Sequence, residues 1–226
     1  MSESVVLAFS LTLKLAFITT VILLIIAIPL AWWLARSRHW SALIVESVCA
    51  LPLVLPPTVL GFYLLISFGE QGMLGQLWMN LFGQTLAFTF TALVIASVLY
   101  SLPFVLQPIH VAFEQLDYET VEAAHSLGAS RRKTFWRIIL PQARQGIMVA
   151  SILGFAHTVG EFGVVLMVGG NLPGETQVIS IAIYEAVESL EFGLAHQISM
   201  SLLIFSFLVL LGVYAVNRHW KLGGHS

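Results

Sequence analysis

The chain has 226 residues, of which 58% are hydrophobic and only 10% charged, with a formal net charge of −2. A soluble domain of this size carries about a quarter charged residues, so a soluble globule is excluded, and so weak a field excludes a nucleic-acid binder. A single cysteine, Cys49, excludes a disulfide framework and a cysteine-based zinc site. What remains is an all-α integral membrane protein.

A helix needs about 20 apolar residues to cross the hydrocarbon core. Residues 15–35 carry no charge and form the first expected span. The stretch lacks a basic leader and a small-residue cleavage site, so it reads as a span rather than a cleaved signal. Residues 47–69 form the second. Pro52, Pro56 and Pro57 lie within it. Proline removes a backbone donor and clashes with the preceding turn, and backbone freed in a membrane needs protein or a water-filled cavity to satisfy it. A broken, pore-lining helix and a kinked packing helix are the two readings, and Gly61 permits close contact or bending in either.

Residues 71–113 are uncharged but too long for one span. Gly72, Gly75, Asn80 and Gly83 mark their first part as an interfacial loop, which leaves a third span at about 86–107. The fourth runs over 145–160, is interrupted at Glu161 and continues to about Val168. The fifth covers 192–217. No internal repeat is present, and five helices are few to enclose a pathway, so a homodimer is the economical assembly.

Basic residues set the orientation. Arg36 and Arg38 follow span 1. Arg131, Arg132, Lys133, Arg137 and Arg144 lie between spans 3 and 4, and Arg218 and Lys221 lie in the tail. The opposite side carries Glu3, Glu70, Glu175, Glu185, Glu188 and Glu191. The positive-inside rule then puts the N-terminus outside and the C-terminus in the cytoplasm, as an odd number of spans requires. Lys14 is the one base elsewhere, and its stem can snorkel to the outer interface.

The segment of about 114–144 is the one substantial polar stretch. Acids come first, where a helix dipole favours them, so 118–127 reads as a short helix. Gly128 stands at its C-terminal cap. A second helix is expected over about 130–139, broken by Pro141. Outside, Gly169, Gly170, Pro173 and Gly174 form a turn within a loop of about 169–191. The short apolar helix 177–187 in that loop serves as a gate or docking surface, or only as a cap.

Glu122, Ala123, Ala124, then Gly128, then Ile138, Leu140 and Pro141 reproduce the spacing E-A-A, three residues, G, nine residues, I-x-L-P. This resembles the EAA motif of the binding-protein-dependent ABC importer permeases. The resemblance extends through LPLVLPPTVLGFYLL (51–65), AFTFTALVIASVLYSLPF (87–104) and GEFGVVLMVGGNLPGETQVISIAIYEAV (160–187). These runs are similar to the molybdate branch of the family, with sulfate permeases as close relatives.

The resemblance implies a single permease domain, 1–226, that moves molybdate or tungstate inward as a homodimer. It implies partners too: two copies of an ABC ATPase subunit, which bind the ATP and magnesium, and an external oxyanion-binding protein. The membrane would be the inner membrane of a prokaryote. On this chain it implies that Glu119, Glu122, Ala123, Ala124, Leu127, Gly128 and Ala129 form a coupling helix seated in the ATPase. The chain has no cofactor, metal or catalytic residue of its own to offer. Its lysines, Lys14, Lys133 and Lys221, do not follow glycine, so no phosphate-binding P-loop is present.

Pro52, Pro56, Pro57, Gly61, Gly160, Glu161 and Gly163 are the candidates for the path or its gate. An intramembrane acid points to function, yet an acid repels an anion. The better reading of Glu161 is structural, paired with backbone donors between two loosening glycines. His157 shares its helix face at i−4, which suggests a buried hydrogen-bonded pair, too few ligands for a metal. His110 reads as interfacial. Trp32, Trp33, Trp78 and Trp220 suit an aromatic belt.

Overall fold

The structure, a computed structural model, describes residues 3–222, without the side chains of Tyr118 and residues 213–222. Arg218, Trp220 and Lys221 of the tail therefore lie outside the described side chains. Every regular element among the described residues is helical. Three helices are long and apolar enough to cross a membrane, or up to five if each of two bent pairs counts as one span.

Helix α1 (Glu3–Arg36) is longer than the expected first span and carries Glu3 in its first turn and Arg36 in its last, the charges that complement a helix dipole. Ala8, Thr12, Leu15, Ala16, Thr19, Leu23, Ala27, Ala31 and Leu34 are buried. They recur at helical spacing on one stripe, and the many small residues let neighbouring backbones approach closely. Helix α2 (Trp40–Val54) leads to α3 (Pro57–Phe68) through a bend of 112°. Pro52 stays inside α2. The break falls at Leu55–Pro56, where Pro57 occupies the first turn of α3 and its missing N–H is harmless.

Residues 73–82, expected as loop, form helix α4 (Met73–Phe82). Its apolar residues sit at helical spacing, and Gly72 and Gly75 leave it room to fold back on the last carbonyls of α3. The glycines that suggested loop serve that close approach instead. Trp78 packs against the core beside α3 and lies tilted over Phe82, ring centroids 4.1 Å apart. Trp32 likewise packs inward, on Phe113 and Phe135. Trp32 and Trp78 are half-buried, whereas Trp33 is exposed.

Helix α5 (Phe90–Glu114) starts where the Thr89 hydroxyl accepts the Ala92 N–H at 3.2 Å. Helices α6 (Tyr118–Ser126), α7 (Arg131–Thr134) and α8 (Leu140–Gln142) come next, with a π-helical turn at Phe135–Ile139 between the last two. The helix expected to stop before Pro141 instead continues to Gln142, and the chain bends by 66° beside Ala143. Helix α9 (Arg144–Gly160) then passes through the centre. Helix α10 (Gly163–Gly169), helix α11 (Ile179–Glu188) and the long α12 (Phe192–Leu222) complete the chain.

Helices α1, α5 and α9 form the centre. Leu23, Ala27, Val105, Ile109, Phe113 and Ala150 share one core. A Cβ on Gly146 would collide with the Cβ of Ala112 and the carbonyl of Pro108, and one on Gly154 would collide with Val105. Helices α2 and α12 lie outside this centre and keep most of their apolar side chains exposed, as lipid-facing helices do. Helix α12 holds on through Leu194, Ile198 and Leu202 against Val5 and Ile179.

Replacing Gly146 by leucine drives a side chain into α5. We expect a loss of about 1–3 kcal/mol, read as a lower melting temperature of the detergent-purified protein. Gly193→Ala, whose Cβ meets open space, leaves that temperature unchanged.

Candidate functional site

Helix α6 is built as a rigid projection. The Asp117 carboxylate caps it, accepting the Glu119 N–H at 3.1 Å and the Thr120 hydroxyl. The Thr120 hydrogen bond, joined by the backbone N–H groups of Glu119 and Thr120, holds the Asp117 carboxyl below the usual carboxylate range. At the other end Gly128 has φ +82°. Its N–H reaches the His125 carbonyl at 2.9 Å, and the Ala129 N–H reaches the Ala124 carbonyl at 3.0 Å. This pair of bonds is a Schellman motif, which glycine adopts without the penalty a Cβ brings.

Val121 is 3% exposed and anchors α6 to the core. Glu119, Glu122, Ala123 and Gly128 are exposed, Ala124 and Ala129 are half-buried, and Leu127 is 89% exposed. The motif's first half is therefore one free surface with an apolar tip. Its second half is structural. Ile138 packs on the central core, Leu140 is half-buried and Pro141 is exposed. The Leu140 N–H bonds to the Phe135 carbonyl, five residues back. Pro141 has no N–H to return to the preceding turn, which accounts for a wider turn at this place.

The path candidates divide. A Cβ on Gly163 would lie 2.8 Å from the Cβ of Pro57, and one on Gly61 would lie 2.8 Å from the Cβ of Met167 and 3.3 Å from the Cα of Val164. Helices α3 and α10, each beginning after a break, thus meet through small residues. Leu64, Phe68, Val164, Val168, Ala92 and Ala96 close the same core. Pro57, Gly61 and Gly163 belong to this joint. Pro52 does not, and a Cβ on Gly160 would meet open space.

Glu161 sits at the break between α9 and α10 and is 4% exposed. Neither carboxyl oxygen has a hydrogen-bond partner, so the expected pairing with backbone donors is absent. The Ser97 hydroxyl faces it without meeting hydrogen-bond geometry. His157 is not its partner either. The imidazole Nδ1 lies 2.9 Å from the Ser101 hydroxyl, and the ring stacks on Phe104 with centroids 3.8 Å apart. The break is tied outward through backbone. The Ser180 hydroxyl of α11 donates to the Glu161 carbonyl at 2.6 Å, and the Ile179 N–H donates to Thr12 of α1 at 2.8 Å.

Lys14 lies in the body of α1 with its ammonium 4.8 Å from the Phe90 ring centroid, a cation–π contact. His110 sits between Glu46 and Glu114, at 3.7 and 3.8 Å. Sequence reasoning did not find the Ser101–His157–Phe104 group, because His157 lies 56 residues from Ser101 and 53 from Phe104 in sequence. It also missed a cleft of about 840 Å³ at one end of α5 and α9, lined by Gln107, Gln115, Gln142 and Gln145.

Residues 27–222 match the family described as binding-protein-dependent transport system inner membrane component. The molybdenum transport system permease protein ModB of Azotobacter vinelandii is 51% identical over 223 residues, 99% of this chain and 98% of that protein. The protein of the same name from Escherichia coli K12 is 37% identical over 215 residues, covering 93% and 94%. Among solved structures, a bacterial ABC transporter involved in importing the acidic polysaccharide alginate shares the fold. Its TM-score is 0.80 at 18% identity, covering 97% of this chain and 80% of that one. The apolar helices and these relatives together make the chain a multi-pass inner-membrane protein. With the motif, the helical architecture and a match over most of its length, the chain belongs to the family of binding-protein-dependent transport system inner membrane components.

Proposed function

We propose that the chain is the permease subunit of an ABC importer for molybdate, with tungstate as a chemically equivalent passenger. The carrying observation is the capped, exposed α6 bearing the EAA residues on a chain half identical to a molybdenum permease. The clustering of bases between α5 and α9 supports a cytoplasmic position for α6, an external N-terminus and a cytoplasmic C-terminus. Two copies of the chain enclose the path. Two ATPase subunits hold ATP and magnesium and receive Glu119, Glu122, Ala123, Ala124, Leu127, Gly128 and Ala129. An external binding protein delivers the oxyanion.

Closure of the ATPases carries α6 with it, and rigid-body rocking opens the path outward. The joint of Pro57, Gly61 and Gly163 acts as the gate, with Glu161 at its hinge. A buried carboxyl without a partner destabilises the packed state, so the joint is poised to open. An unsatisfied buried polar group in a native structure calls for a reason of this kind. The exposed surfaces of α11 and the 169–191 loop face the binding protein.

Uptake of radiolabelled molybdate by cells lacking their own system tests the reading, with the cognate ATPase and binding protein co-expressed. We expect uptake that requires the chain and survives a large excess of sulfate. Uptake abolished by sulfate would move the substrate to the sulfate branch, and no uptake of either anion would overturn the importer.

Gly128→Val forces a β-branched residue to φ +82°, at a cost of about 1–2 kcal/mol. The ATPase should then be lost on purification, and wild-type recovery would sink the coupling assignment. Glu161→Leu removes the unpartnered carboxyl at similar volume. The expected pair of outcomes is a higher melting temperature and uptake at least about fivefold lower, or about 1 kcal/mol. Unchanged uptake would remove Glu161 from the gate.

A further inference from the structure

The glutamine-lined cleft adjoins the N-cap of α6 at Asp117 but includes none of the residues assigned to coupling or to the gate. It lies where α5 ends and α9 begins, and Gln107, Gln115, Gln142 and Gln145 all contribute to its wall. Among the described residues none of these four amides has a hydrogen bond or ion pair within the chain. Each amide carries two N–H donors, so the wall offers up to eight donors with no fixed partner. The floor is firm, because Gly146 packs directly on Ala112 and the Pro108 carbonyl. A second depression of about 470 Å³ shares Gln142 and Gln145 and adds Arg137 and Arg144.

We propose that this cleft is a low-affinity exit site for the transported tetrahedral oxyanion. The proposal rests on the importer reading above and adds to it the place where the anion is held before release. A tetrahedral dianion presents four oxygens that accept hydrogen bonds and donate none, which matches a wall of amide donors. Neutral amides hold it with hydrogen bonds in which only the anion is charged, without the bidentate cation–anion pairing that would make it slow to leave. Asp117 also lines the cleft. Its oxygens are engaged by Glu119 and Thr120, but its charge still opposes retention. The arginines next door draw the anion outward along a shared wall. The site is thus graded from neutral donors to bases and favours passage over storage.

The test uses the permease–ATPase complex in lipid nanodiscs. Val149, an exposed residue of the cleft, becomes a reporter in a Cys49→Ala, Val149→Cys chain that keeps all four amides. Sodium molybdate should slow maleimide labelling of the reporter at least about threefold, with half the effect in the millimolar range. Sodium chloride at equal ionic strength should not. Labelling unaffected by molybdate up to about 50 mM overturns the site.

In cells, Gln107→Leu combined with Gln142→Leu should lower molybdate uptake about tenfold while the ATPase still co-purifies. Unchanged uptake overturns the proposal. Loss of the ATPase also overturns it, by making the cleft a docking groove. If the wild-type complex transports no oxyanion, the importer reading fails, and the labelling result still decides whether the cleft binds the anion.

Discussion

Backbone satisfaction inside hydrocarbon governs this structure. No water is present there to receive a free N–H or C=O, so a spanning chain is helical wherever it meets lipid, and each interruption needs cover. The interruption at Leu55–Pro56 is bridged within a turn. The Leu55 N–H reaches the Leu51 carbonyl at 3.0 Å and the Val59 N–H reaches the Pro56 carbonyl at 3.0 Å. The one at Glu161 is covered from outside, by the Ser180 hydroxyl on its carbonyl. Both interruptions lie at the start of a helix that packs on the other, so each broken span shields its counterpart. The two weak places in the fold are thereby gathered into one joint.

The rest of the molecule divides around that joint by residue size. Small residues allow α1, α5 and α9 to meet almost backbone to backbone, and the centre is correspondingly rigid. Helices α2 and α12 meet it through few contacts and turn large apolar side chains outward. Helix α6 stands apart, Val121 being the one fully buried residue among its described side chains, with its ends closed by Asp117 and Gly128. A short helix closed at both ends transmits displacement without fraying, which suits a part that is pushed by a partner.

The sequence spoke clearly where a rule depends on neighbours in the chain. Charge-free runs located the apolar helices, glycine spacing located the turn at 128, and prolines located the break after α2 within a few residues. It was silent where contacts are distant. Gly72 and Gly75 looked like loop residues because their role, closeness to the end of α3, is visible only once α4 has folded back. Glu161 and His157 looked like partners because four residues separate them. Ser101, on another helix, took the histidine and left the carboxyl without a bond. The glutamines of the cleft are scattered between 107 and 145 and carry no motif at all.

The π-helical turn at Phe135–Ile139 has an evolutionary consequence. An α-helix advances about 100° per residue, and a π-turn absorbs one extra residue while the helix beyond it keeps its phase. Deleting a residue there would restore a regular ladder at local profit. A deletion elsewhere in the run, with no such turn to absorb it, would swing the exposed tip of α6 by about 100° relative to the membrane helices. The nine-residue interval between Gly128 and Ile138 is therefore a phase setting. Insertions and deletions should be tolerated in the short turn between α1 and α2 long before they are tolerated in that interval.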